Sequence, residues 1–243
     1  MGTFKGTFKG THSIMSLKII SLGGSIIIPK TGFDVSFLKK FKSLIETRVK
    51  KGERFVFVVG GGATCRNYQA AAKKVAGLKN VELDWLGVYT TWFNAEFVRL
   101  LFGKYAHREV IKNPSIRPIN KLNSQPIIIA GGWKPGWSTD YDAVKLAEIY
   151  GAKEVINLSN IDFVYEKDPA KFKNTKKFEK LTWPEMRKIV GDKWIPGKNV
   201  PFDPQATKLA QKLGLRVKFI KGTNLKELKK ELEGQNGKGT EIR

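Results

Sequence analysis

The chain has a single cysteine, Cys65, and only two histidines among 243 residues. One cysteine cannot form an internal disulfide, and no Cys/His cluster has zinc-ligand spacing. A reducing, cytoplasmic setting is therefore expected, and no protein metal-ligand set. His12 and His107 stand apart from any motif, so neither suggests a catalytic triad; His107 reads as a surface or packing residue. No apolar stretch approaches the roughly 20 residues that span a bilayer, so no membrane span is expected. Acidic residues are also scarce, 22 Asp and Glu against 44 Lys and Arg, giving a formal charge of +22. Charge alone would admit a nucleic-acid partner or an anionic surface, or simply a lysine-rich solvated exterior. The lysines are spread along the whole chain, and no aromatic-basic RNA motif, zinc finger or basic zipper gives them a target. A positive field would equally speed encounter with polyanionic substrates.

What is abundant is glycine, 24 residues, alongside 41% hydrophobic residues. That suits a globular protein with many tight turns and a sizeable core. Residues 1–14 repeat Gly2–Lys5 at Gly6–Lys9 and lack the apolar segment of a secretory signal. They read as a tail or appended leader, the alternative being a native basic arm, and residues 15–243 as a single domain.

Leu17 to Ile28 reads as a buried strand running into a glycine turn, ended by Pro29. From Asp34, apolar residues at helical spacing predict a helix that stops near Gly52. The unit repeats with a strand at Phe55–Val59, a turn at Gly60–Gly62 and a helix at Ala63–Val75. A longer helix is predicted over Asp84–Leu101, then the strand Pro126–Ala130, the turn Gly131–Gly136, the helix Asp140–Tyr150 and the strand Val155–Leu158. Glu166–Lys180 is charged and reads as a surface excursion. Helices near Pro184–Val190, Asp203–Leu213 and Asn224–Glu233, and strands at Arg216–Ile220 and Thr240–Ile242, complete the pattern. Strands alternating with helices predict an α/β fold, a mainly parallel sheet covered on both faces.

Three glycine turns follow three predicted strands: SLGGS at Ser21–Ser25, VVGGG at Val58–Gly62 and AGGWKPGWSTD at Ala130–Asp140. Glycine permits close backbone approach to a ligand, and ligands in open α/β sheets sit beyond the carboxyl ends of the strands. Helix N-termini there favour phosphate. There is no G-x-x-x-x-G-K-[ST] loop, and no G-x-G-x-x-G followed by an acidic residue about twenty positions on. P-loop and nicotinamide enzymes are accordingly disfavoured. Cys65, without a histidine partner, reads as a small packing residue.

The ordered set SLGGS, VVGGG, GGWKPGWSTD, SNIDFVYEKDP and PFDPQATKLA resembles the amino-acid kinase superfamily, and within it the archaeal-type uridylate kinases, over essentially all of Leu17–Ile242. The resemblance implies a three-layer α/β/α sandwich with an acceptor lobe of about 15–130 and an ATP lobe of about 131–243, transfer of the γ-phosphoryl of Mg²⁺-ATP to UMP, and a homohexamer. It implies that Gly24 and Ser25 face the ATP phosphates, that Gly61 binds UMP, and that Gly62 and Arg66 serve the nucleotide phosphates. Asp84 would hold the acceptor's ribose. Trp133, Lys134, Pro135, Gly136, Trp137, Ser138 and Thr139 would wrap UMP, with Asp140 starting the next helix. Ser159, Asn160, Tyr165 and Asp168 would form the ATP side, and Asp162 would stand near the transferring phosphoryl group as the catalytic candidate.

Each position also has a structural alternative. Arg66 can fork onto a phosphate or make a surface ion pair. Asp84 can accept ribose hydroxyls or cap the following helix. Ser138 and Thr139 can bind oxygen atoms or cap the helix at Asp140. Asp162 can hold Mg²⁺, orient a lysine or serve as a turn residue, and Tyr165 can pack on adenine or within its lobe. Two departures from the family pattern stand out. Ser21 replaces a lysine common in many relatives, with Lys18, Lys30 or Lys134 as substitutes. Phe163 follows Asp162 where relatives usually carry glycine. The rival readings are another small-molecule kinase of the same fold, acting on acetylglutamate, carbamate or isopentenyl phosphate, and a basic nucleic-acid-binding protein that has lost catalysis.

Overall fold

The computed structural model describes residues 17–116, 125–193 and 200–243. The leader, His12 included, lies outside the described residues. A seven-stranded sheet organises these residues in the order β3-β2-β1-β4-β8-β9-β7. Its members are β1 (Leu17–Leu22), β2 (Arg54–Val59), β3 (Ile127–Ala130), β4 (Glu154–Ser159), β7 (Lys180–Leu181), β8 (Arg216–Lys221) and β9 (Thr240–Ile242). Strands β3 to β8 in that order are parallel, β9 runs antiparallel to β8, and β7 is parallel to β9.

Side chains alternate across the strands. Phe55, Phe57 and Val59 face a core shared with helices α1 (Gly24–Ile27), α2 (Val35–Lys50), α4 (Asn80–Phe102) and α8 (Leu225–Leu232). Val56 and Val58 face a second core shared with α5 (Thr139–Tyr150), α6 (Trp183–Val190) and α7 (Pro204–Leu213). Two cores on opposite faces of one sheet make the α/β/α sandwich. Each fully buried β2 side chain contributes about 1.5–3 kcal/mol by leaving water, which fixes the strand between both layers.

The expected elements are present, with four adjustments. The apolar run to Ile28 is not all strand: β1 stops at Leu22, and Gly24–Ile27 form one helical turn whose Ile26 and Ile27 are buried. The reason is steric. A Cβ on Gly24 would collide with the Gly60 backbone, so the chain turns here. Helix α4 begins at Asn80, one turn before Asp84, because Glu82 Oε2 accepts the Lys79 N–H at 2.8 Å and closes the first turn. Helix α5 begins at Thr139 with Ser138 as its cap, its Oγ accepting the Tyr141 N–H at 3.2 Å. The charged excursion is also partly ordered. Lys177–Phe178 (β6) pairs antiparallel with Val164–Tyr165 (β5), and β7 joins the main sheet.

Candidate functional site

Chain connectivity reverses direction across the sheet between β1 and β4, since β2 and β3 lie on one side of β1 while β4 and β8 lie on the other. Such a switch point opens a crevice at the carboxyl ends of the strands. Ser21 on β1 and Asn157 on β4 are register partners across it. Both donate to one oxygen, Asp140 Oδ1, at 3.2 and 2.9 Å. Asp140, in the first turn of α5, is half-buried, and its carboxyl is pushed up to about 7. Desolvation is the main cause and the Asp203 charge adds to it; hydrogen bonds from Ser21, the Asp203 backbone and Asn157 oppose the rise. Asp203 is buried and caps α7, its Oδ1 accepting from Gln205 and Ala206 N–H at 2.7 and 2.8 Å. Sequence reasoning gave Asp140 no role beyond starting its helix and did not single out Asp203 or Asn157. The visible signal was polar residues where an apolar strand and helix starts converge.

On the β1-β2-β3 side, the glycine turns interlock. A Cβ on Gly62, whose φ is +66°, would lie 2.5 Å from Gly24 O. Asn94, fully buried in α4, donates from its Nδ2 to Gly60 O at 2.9 Å and Gly61 O at 3.0 Å. A trans peptide points its C=O and N–H in opposite directions. The N–H groups of Gly61 and Gly62 therefore face away from α4. The third turn is held by the same helix: Gly132 N–H donates to Thr91 Oγ1 at 2.7 Å, and Trp92 Nε1 donates to Gly132 O at 2.6 Å. Thr91, Trp92 and Asn94 were not legible as site-forming because nothing in the helix sequence shows which distant turns they meet.

These turns border a cavity of about 230 Å³ lined by Gly61, Asp84, Gly132, Lys134–Thr139 and neighbouring α4 residues. Asp84 lies within α4, one turn past its start, so it does not cap that helix; its Oδ2 accepts the Gly136 N–H at 3.2 Å. Gly136 has φ +80°, a conformation that glycine adopts without strain. Trp133 packs against Trp137 at 5.8 Å between ring centroids, and the Lys134 ammonium lies 4.1 Å from the Trp133 ring centre. Trp133 N–H donates to Asp142 Oδ2 at 3.1 Å. Asp142 is fully buried, its Oδ1 has no hydrogen-bond partner among the described residues, and burial pushes it up to about 7. Arg66 is exposed in the first turns of α3 (Gly62–Ala76) and is not part of the cavity wall. Cys65 lines the cavity and packs beside Gly61, and burial raises its thiol above the usual range, as befits a packing residue rather than a nucleophile. His107 is buried, with the Glu109 N–H 3.2 Å from its Nδ1.

Beyond β4 lies a second cavity of about 320 Å³, lined by Ser159, Asn160, Tyr165, Asp168 and the Val200–Pro201 segment. Gly23, preceding Gly24 and Ser25, joins the two sides by donating its N–H to Leu158 O at 3.1 Å. Asp162 accepts the Tyr165 hydroxyl at 2.8 Å and is not part of that cavity's wall. Asp168 Oδ1 accepts the Ala170 N–H at 3.0 Å. Phe163 is 2% exposed, a packed ring with the Lys177 ammonium 4.6 Å from its centre. Of the three lysines proposed to replace the cation absent at Ser21, Lys18 is paired with Glu154 at the opposite end of the sheet and Lys30 is exposed. Lys134 lines the cavity beside α4. Sequence reasoning missed Lys221, which ends β8 in register with Ser159 at the same rim. No group of three or more His, Cys, Asp or Glu suited to a metal is present among the described residues.

A mainly parallel sheet with a carboxylate at its switch point and cavities near the carboxyl ends of its strands defines an open α/β protein of the kind whose ligands sit at that rim. The chain belongs to the amino acid kinase family, whose profile matches residues 16–221. It is 32% identical over 205 residues to a uridylate kinase of Methanococcus aeolicus, covering 84% of this chain and 90% of that protein. A uridylate kinase of Thermoplasma acidophilum is 31% identical over 231 residues, with 92% and 95% covered. The crystal structure of uridylate kinase from Archaeoglobus fulgidus superposes with a TM-score of 0.78 at 27% identity, covering 94% of this chain and all of that one.

Proposed function

We propose that the protein is a cytoplasmic UMP kinase that transfers the γ-phosphoryl of Mg²⁺-ATP to UMP, giving UDP and ADP. The observation that carries this reading is Asp140, held by both switch-point strands between two cavities that suit an acceptor and a donor. The acceptor lies on the α4 side, its phosphate on the outward N–H groups of Gly61 and Gly62 with Arg66 closing over it. Asp84 meets the ribose, and residues Trp133–Thr139 wrap the nucleotide. ATP lies over Ser159, Asn160, Tyr165 and Asp168, its phosphates reaching back to Gly24 and Ser25.

Phosphoryl transfer demands alignment and charge stabilisation more than covalent chemistry. An acceptor phosphate oxygen is already ionised at neutral pH and needs no general base. The Gly61 and Gly62 N–H groups, in a turn fixed by Asn94, cost no reorganisation as charge develops, and Lys134 and Lys221 supply cations in place of the lysine absent at Ser21. Mg²⁺ typically takes one or two carboxylates together with substrate phosphates; Asp140, beside Asp203, fits that donor set, and the ion would neutralise phosphate charge. Asp162 orients the ATP side through Tyr165.

An ADP-release assay with Mg²⁺-ATP and UMP, CMP, AMP, acetylglutamate or isopentenyl phosphate tests the assignment. UMP should turn over at least about 100-fold better than any other acceptor, since a site built to hydrogen-bond its ligand rejects analogues that leave its polar groups unpaired. Preference for another acceptor would refute it.

The chain also self-associates in this reading. Helix α4 exposes Val81, Trp85, Tyr89 and Phe93 at four-residue spacing, followed by Leu100, and Phe93 is 74% exposed. A stripe of this kind along a 23-residue helix marks an interaction face. A second copy of the same helix is the occupant implied by the family's hexamers.

A further inference from the structure

Lys218 breaks the apolar run of β8 and is only 2% exposed. Its neighbours Val217 and Phe219 point into the α5-α6-α7 core, so Lys218 projects to the other face, toward α8. It ends in a cavity of about 210 Å³ whose wall includes Lys180, Lys238, Asn236 and Phe163, with Glu179 and Glu241. The ammonium donates to Asn236 Oδ1 at 3.0 Å, a neutral acceptor. Nearby carboxylates are already engaged: Glu231 and Glu241 bind Arg216 at 2.6 and 2.8 Å, Glu241 also binds Arg243, and Glu179 has Lys177 at 3.7 Å. Among the described residues, none of the Lys180, Lys218 and Lys238 ammonium groups has a carboxylate oxygen within 4.0 Å. A buried cation with only a neutral partner is costly to keep. Burial accordingly pulls Lys218 below the usual lysine range, although Glu231 pulls the other way.

We propose that this cavity is a second anion site, separate from the catalytic cleft, which takes a phosphate group on Lys218, Lys180, Lys238 and the amide nitrogen of Asn236. The three ammonium groups supply point charges from the floor and the rim, and Asn236 has two N–H donors left. The cavity holds about seven water volumes, enough for a phosphate with residual hydration. Its wall is continuous with the ATP side. Phe163 lies between Asp162 and Val164, and the Val164 N–H donates to Thr240 Oγ1 at 2.8 Å, next to the Lys238–Glu241 wall. An anion here braces the segment that carries Asp162 and Tyr165.

The test is calorimetric titration of the full chain with inorganic phosphate and, separately, with glycerol 3-phosphate, in the presence of saturating ADP and UMP. One site per chain is expected. Binding of phosphate alone assigns the site to the free ion, and binding of both assigns it to phosphate groups generally; either supports the proposal. The double variant Lys180→Ala/Lys238→Ala, changed only at exposed positions, should bind at least about tenfold more weakly, because each removed charge-assisted contact matters on that scale. Lys218→Met should lose binding altogether. Absence of binding by both probes, or equal affinity in the double variant, would overturn the site. The variants leave the cleft untouched, so this result is separable from whether UMP is the acceptor.

Discussion

The two sides of the cleft are built differently. On the acceptor side, one helix reaches every glycine turn of the cavity: Asn94 takes two carbonyls of the second turn, and Thr91, Trp92 and Asp84 hold the third. On the ATP side, the candidate residues bond mainly to one another and to their own loops, as Asp162 does with Tyr165 and Asp168 with Ala170. A cavity whose backbone is clamped by the buried side chains of one helix is preorganised, and preorganisation gives discrimination as well as affinity. Under the proposed assignment, selectivity resides in the cavity on the α4 side, while the cavity beyond β4 is a more adaptable surface. Asp140 belongs to neither side alone, being bonded from both strands of the switch point.

Removing that shared residue should have the largest effect. Asp140→Asn should lower kcat by about 100-fold or more, the scale on which a preorganised electrostatic partner acts, with little change in either KM. In the parent enzyme kcat/KM should rise with pH through about 7, as Asp140 ionises in the free protein. Its stability should run the other way. The folded value of about 7 exceeds an unfolded value of about 3.9, so the native state holds the extra proton between them and stability falls as pH rises across that window. Each pH unit in the window is worth at most about 1.4 kcal/mol. Asp140→Asn should thus be more thermostable than the parent at pH 8 and close to it at pH 4. Equal thermal midpoints at both pH values would show that the carboxylate is not strained by its surroundings.

Next in size are changes that separate the two sides. Asp84→Ala should raise the KM for UMP about tenfold while leaving that for ATP within about twofold, since hydrogen bonds to a charged group contribute about 1.5–3 kcal/mol. Asn94→Ala should do the same without touching ligand, because it removes the side-chain donor of Gly60 O, leaves Gly61 O with the Cys65 N–H alone and loosens the Gly60–Gly62 turn. Equal increases for both substrates in either variant would mean that the clamp serves the whole cleft and would erase the contrast. Phe93→Asp, placed on the exposed stripe of α4, should shift the assembly to a smaller species in size-exclusion chromatography with light scattering, while the monomer keeps its fold.

The parts legible in the sequence are those governed by local rules. Period-2 and period-3.6 patterns located the strands and long helices, and the glycine triplets marked turns at strand ends, because conformational freedom and hydrophobic alternation are written in neighbouring residues. Less legible was whatever depends on two distant segments meeting. Ile26 and Ile27 look like a strand continuation, yet the close approach of Gly24 to Gly60 and Gly62 turns them into a helical turn. Asp140 looks like a helix-start residue until Ser21 and Asn157 are found in register beside it. Asn94 is one of several polar residues in α4, and only its partners reveal its purpose. Phe163 looks like an intrusion at a glycine position, whereas the fold gives it a packed place between lysines.

The smallest effect should come from the adaptable side. Tyr165 is half-buried at the edge of the ATP-side cavity, and its hydroxyl donates to Asp162 Oδ1 at 2.8 Å. Tyr165→Phe keeps the ring that would pack on adenine and deletes only that hydrogen bond. A single solvent-accessible bond of this kind contributes about 0.5–1.5 kcal/mol, so the KM for ATP should rise about two- to tenfold and the KM for UMP should stay put. Tyr165→Ala removes the ring as well and should add a further increase in the KM for ATP through lost stacking area. If Tyr165→Phe instead lowered kcat as much as Asp140→Asn, Asp162 would have to act directly on the transferring group, and the division between a clamped acceptor side and an adaptable ATP side would give way to two equally preorganised halves.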